Sequence, residues 1–64
     1  MPITKLTAKK ILKDVGAERV SESAAAELAV ILNRLAYQMA KKAVKLAAHA
    51  KRQTVKKADI ELAK

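Results

Sequence analysis

The 64-residue chain predicts an all-α fold, ordered short helix, hinge, long helix, hinge, short helix. Three observations carry this. Residues 22–50 contain neither proline nor glycine. Within them apolar residues fall at Ala24, Leu28, Ile31, Leu32, Leu35, Met39, Ala43, Leu46, Ala47 and Ala50, the spacing of one helical face. The single glycine, Gly16, stands just before that span, where a preceding helix has to end. A helix over residues 22–50 is roughly 29 residues and about 43 Å long at about 1.5 Å per residue. Two short flanking helices cannot cover an apolar face of that length, so the sequence predicts a second chain.

The elements follow in order. The first helix begins near Thr4, a good N-cap residue after Pro2. Ile3, Ala8, Ile11, Leu12 and Val15 form its apolar face, and Lys5, Lys9, Lys10 and Lys13 lie mainly elsewhere on the wheel. Gly16 takes the left-handed C-cap position. Residues 17–20 form the first hinge, in which Arg19 and Val20 suit a short strand. Ser21 caps the long helix, and Glu22 in its first turn complements the positive end of the dipole. Residues 51–55 form the second hinge, and Gln53, Thr54 and Val55 read as briefly extended. Residues 58–63 form the third helix, with Asp59 in its first turn and Ile60, Leu62 and Ala63 facing inward.

Length and composition bound the function. Residues 1–64 make one domain, which alone buries only about 60% of its unfolded surface and is marginal. No cysteine is present to staple it, and one histidine makes no metal site. Fourteen Lys and Arg against six Asp and Glu give a net charge of +8, which calls for a polyanion. No signal-peptide h-region and no apolar run of about 20 residues is present, so a soluble cytoplasmic protein without a membrane partner is expected. Tyr37 is the only aromatic residue, too few rings for a single-strand stacking platform. Phosphate contact to a duplex remains. No nucleophile–base set, phosphate loop or buried acid pair is visible, so neither catalysis nor a cofactor is expected.

The basic residues cluster at helix ends and hinges: Lys9, Lys10 and Lys13, then Arg19, then Lys51, Arg52, Lys56 and Lys57. A merely solvated surface would not require that clustering. His49, alone on the apolar side of the long helix, reads most simply as a helix-end residue half packed. Arg52 and Asp59 read most simply as a surface pair of little worth.

At this point the chain resembles the archaeal histones. Residues 16–21, Gly-Ala-Glu-Arg-Val-Ser, read like that family's first loop, and residues 43–50 with 52–56 and 59–63 read like its second half. The resemblance covers nearly the whole chain and implies a histone fold and a handshake homodimer whose long helices cross. It further implies that Arg19 enters the inward-facing minor groove of double-stranded DNA and that Thr54 of the partner chain braces it. It assigns phosphate contacts to Lys10, Lys13, Arg52 and Lys56, and an intrachain ion pair to Arg52 and Asp59. Leu46, His49, Asp59 and Leu62 match the patch that joins dimers into tetramers and stacks. Lys51 departs from a common glycine, Gln53 from a basic residue, Ala48 from an arginine, and Val30 and Arg34 from acids. These departures bear on stacking more than on DNA binding.

The resulting expectation is an architectural protein, associated with the chromosome, that dimerises with itself or a paralogue and wraps double-stranded DNA with little sequence preference. One alternative is a histone-fold interaction subunit paired with a different partner in a transcription complex, which would not need basic residues in both hinges. The other is a membrane-active amphipathic helix, which the interleaved acids and ordered hinges disfavour.

Overall fold

A computed structural model describes residues 2–64. It has three helices, α1 (Lys5–Asp14), α2 (Glu22–His49) and α3 (Lys57–Ala63). Among the described residues there is no strand, so residues 19–20 and 53–55 run unpaired in the single chain. No helix among them is long and apolar enough to cross a membrane.

Local chemistry sets the helix ends. Thr4 is extended, and its hydroxyl accepts the Thr7 N–H at 3.3 Å, relieving one of the unpaired donors of the first turn. The Ser21 hydroxyl does the same for the Ala24 N–H at 3.1 Å. α1 closes through a Schellman pair of hydrogen bonds: Gly16 N–H to the Lys13 carbonyl at 3.1 Å and Ala17 N–H to the Leu12 carbonyl at 3.0 Å. Gly16 has φ 114°, which L side chains rarely adopt.

α2 ends one residue earlier than its apolar pattern, at His49, and closes in the same way. Lys51 donates to the Ala48 carbonyl and Arg52 to the Ala47 carbonyl, both at 2.9 Å. Here the left-handed position belongs to Lys51, at φ 58°. A residue with a Cβ is disfavoured in that region by about 1–2 kcal/mol, which glycine avoids. α3 begins one residue earlier than expected. Asp59 accepts the Lys56 N–H at 2.8 Å and so draws the first turn back to Lys57. Lysine offers no acceptor in return, so only one half of a capping box forms.

The chain divides into two compact units, one ending at Arg34 and the other spanning Leu35–Lys64. In the first, Ala8 of α1 and Ala25 and Ala29 of α2 are buried. Asn33 continues the Ala25–Ala29 column by one further turn and is buried too. Its amide donates to the Ile3 carbonyl at 2.8 Å and to the Ala29 carbonyl at 2.7 Å, and its oxygen accepts the Ile3 N–H at 3.1 Å. Reciprocal bonds of this kind fix the amide orientation and tie the entry to α1 onto α2. In the second unit Ala43 and Ala47 of α2 and Ala63 of α3 are buried.

The core of each unit is therefore alanine, and no large side chain is fully buried. The buried positions of α2 lie one step around from the expected stripe in the first unit (Ala25, Ala29 and Asn33) and on that stripe in the second (Ala43 and Ala47), where the short helices pack. These helices cover the alanine columns, leave Leu28, Leu32, Met39 and Leu46 half-buried, and leave Ala24, Ile31 and Leu35 exposed. Ile11 and Val15 of α1 are likewise exposed, contrary to expectation. So are Ile60 and Leu62, because α3 is clamped through Asp59 and turns the Asp59–Ala63 face inward instead.

Candidate nucleic-acid interface

Both hinges emerge from helix ends whose backbone is held by hydrogen bonds, so a side chain on either has a defined stem. In the first unit Lys10 and Lys13 are exposed on α1, and Arg19 is exposed in the hinge between the Gly16 cap and Ser21. None of the three takes part in an ion pair among the described residues. Lys5 and Glu22 form a loose exposed pair at 3.5 Å, which contributes little.

The second unit brings Arg52, Thr54, Lys56 and Asp59 together. The Arg52 guanidinium is bidentate on Asp59, at 2.8 Å to Oδ1 and 2.9 Å to Oδ2, and donates a third bond to the Thr54 carbonyl at 2.9 Å. A planar fork facing a carboxylate is the strongest form of this interaction. Asp59 is 3% exposed, so the pair is a clamp set into the hinge and not a surface contact. The Arg52 guanidinium, and after it the Lys56 N–H, hold the Asp59 carboxyl down at about 2, against the usual carboxylate range. The same carboxylate raises the pKa of Arg52.

This clamp implies a definite acid response. A carboxyl whose folded pKa lies below its unfolded value of about 3.9 favours the fold at higher pH, and that contribution is lost as pH falls toward about 2. Melting temperature should therefore drop between about pH 4 and 2, with uptake of about one proton per chain attributable to Asp59. Asp59→Asn should melt lower at neutral pH and show a flatter response across this window. Parallel profiles for the two proteins, followed by circular dichroism, would remove the clamp from the account of stability.

Thr54 and Lys56 are exposed beside the clamp, as is Lys57. Leu46 is half-buried, while His49 and Leu62 are exposed. His49 makes no hydrogen bond to Asp59 in the single chain. Three donors occupy the Asp59 carboxylate, which leaves about one of its four acceptor sites. Of the fourteen Lys and Arg, three (Lys5, Arg52 and Lys64) are ion-paired among the described residues, and eleven are not.

Residues 1–63 match the sequence model of the family described as histone-like transcription factor (CBF/NF-Y) and archaeal histone. The chain belongs to this family. It is 50% identical over 54 residues to the probable archaeal histone 3 of Methanocaldococcus jannaschii, covering 84% of this chain and 81% of that protein. It is 48% identical over 54 residues, with the same coverage, to a subunit of the archaeal histone HAN1 of Thermococcus zilligii. The three helices, short, long and short, are those of the histone fold.

Within this histone fold, two features go beyond what the sequence led us to expect, the Asn33 bonds and the depth of the Arg52–Asp59 clamp. Asn33 is legible in principle: a polar residue completing an alanine column at four-residue spacing needs a backbone partner. The depth of the Arg52–Asp59 clamp is not legible, because burial of Asp59 depends on how α3 packs.

Proposed function

We propose that this histone forms a handshake homodimer over all 64 residues, binds double-stranded DNA with little sequence preference, and wraps and compacts it as a chromosome-associated protein. The observation that carries the reading is the pair of basic hinges with hydrogen-bonded stems, one presenting Arg19 and the other braced by Arg52 and Asp59. Fixed cations at intervals suit a bent phosphate backbone, and an arginine in a solvated hinge suits a narrow inward-facing minor groove. Lys10, Lys13, Lys56 and Arg52 take phosphates, the last through donors not used on Asp59, and Thr54 braces Arg19 of the partner chain. The uncovered Ile31 and Leu35 of α2 support the dimer. The Thermococcus relative is named as one subunit of its histone, which supports a paralogue as the second reading for the partner.

Dimers join through Leu46, His49, Asp59 and Leu62. Leu62, at 73% exposed, offers the apolar area, and the remaining acceptor site of Asp59 offers His49 a hydrogen bond at its edge.

The test compares wild type with Arg19→Ala on several unrelated duplexes of equal length, followed by nuclease digestion of the complexes. Wild type should bind all duplexes within about tenfold of one another, since phosphate contacts carry no sequence information. Arg19→Ala should bind roughly tenfold more weakly. Its folding stability should change by less than about 0.5 kcal/mol, as is usual for an exposed residue. Protected fragments in a ladder mean stacked dimers. A strong preference for one duplex, or unfolding of Arg19→Ala, would count against the reading.

A further inference from the structure

Lys51 is the one residue other than glycine with positive φ among the described residues, at 58°. Lysine has no aptitude for that conformation, whereas glycine adopts it freely. Glycine closes α1 with the same two-bond motif, so nothing in the cap itself calls for a side chain after α2. Backbone strain that glycine would relieve points to a use for the side chain that stands there.

The surroundings indicate that use. Lys51 is exposed and takes part in no ion pair among the described residues. Its neighbour Arg52 is committed to Asp59 and the Thr54 carbonyl, so that pair is nearly neutral as a unit. At this turn of the hinge Lys51 is the cation whose charge no carboxylate offsets, next to an Arg52 that has only its remaining donors to offer a phosphate. The backbone bonds of Lys51 and Arg52 and the Arg52–Asp59 clamp hold the chain on both sides of it. The ammonium therefore projects from a fixed stem, which lowers the entropic cost of placing it against a phosphate.

We propose that Lys51 is a phosphate-binding residue of the second hinge, and that the hinge tolerates a left-handed lysine for the sake of this charge. The inference rests on the reading of the protein as a duplex-DNA binder. It makes stability and affinity oppose each other at one position, so that a substitution improving the fold weakens the complex.

Four proteins test it: wild type, Lys51→Gly, Lys51→Arg, and Lys41→Gln, which removes an exposed lysine from α2 instead. Thermal melts and duplex binding across a salt series are measured for each. Lys51→Gly should melt roughly 2–6 °C above wild type, the relief of strain exceeding the added freedom of the unfolded chain. It should bind DNA about three- to tenfold more weakly, and the slope of log affinity against log salt should fall by about two per dimer. Lys51→Arg should keep the wild-type slope, and Lys41→Gln should lose less than about half as much slope as Lys51→Gly. A wild-type slope in Lys51→Gly, an equal loss in Lys41→Gln, or a Lys51→Gly protein that melts no higher than wild type would each overturn the proposal. A wild-type protein without salt-dependent binding would instead remove the DNA reading, and this inference with it.

Discussion

Leu35→Ala is expected to abolish folding at micromolar protein concentration. In the single chain Leu35 is 52% exposed, and truncation of such a surface residue changes stability by less than about 0.5 kcal/mol. If two chains pair as proposed through the uncovered face of α2, Leu35 becomes buried between them, and removing a buried leucine side chain costs about 2–5 kcal/mol. The loss occurs in both chains, so even the lower value doubles to about 4 kcal/mol and weakens association by roughly a thousandfold. With alanine cores alone, neither half of the chain has enough buried area to compensate. The wild-type melting temperature should rise with protein concentration, because folding and association are then one equilibrium. Leu35→Ala should sediment as an unfolded monomer at concentrations where wild type is dimeric. A variant that melts like wild type, together with concentration-independent melting, would mean that this face stays open and the dimer is assembled otherwise.

The second large effect is on DNA. Eleven cations per chain stand outside ion pairs among the described residues, and two chains carry a formal charge of +16, twice +8. If a dimer neutralises roughly six to ten phosphates, affinity for duplex DNA should fall by about 10³ to 10⁵ between about 50 and 200 mM salt. The cause is counterion release: every phosphate neutralised by a protein cation frees a condensed ion whose entropy gain shrinks as bulk salt rises. Fluorescence anisotropy over a salt series reads the slope directly. A shallow slope would mean that the hinge cations are not on phosphates, and would favour a protein partner for the same surface.

How much of the fold and the site is legible in the sequence depends on how local each determinant is. Thr4, Gly16 and Ser21 end or begin helices through hydrogen bonds to residues within five positions, and all three are readable from residue type and order. The clamp between Arg52 and Asp59 spans seven residues and comes from the family resemblance; a pair at that separation looks like any exposed ion pair until α3 buries it. The orientation of the short helices departs from expectation for the same reason. Ile60 and Leu62 have the apolar character of inward residues, but the inward face of α3 is decided by Asp59, a charged residue whose burial only the clamp makes tolerable. The apolar stripe on α2 is present, but its inner edge belongs to alanines, which permit close approach of a short helix, while Leu28, Leu32 and Leu46 are only half-buried and Ile31 and Leu35 remain exposed. Periodicity identifies an apolar face without saying which element covers which part of it.

The Asn33 bonds to Ile3 also bear on how fast the protein reaches its native state. They span 30 residues, and beside the loose Lys5–Glu22 pair they are the long-range polar contacts among the described residues; the other side-chain hydrogen bonds join residues seven positions apart or fewer. A chain whose contacts are so local has little conformational search to perform, and helical segments of this kind form within microseconds to milliseconds. If the chain pairs as proposed, collision with a second chain then becomes the slow event. Refolding should be second order at low concentration, its half-time set by how much protein is present, so that the supply of newly made chains governs how quickly usable dimers accumulate.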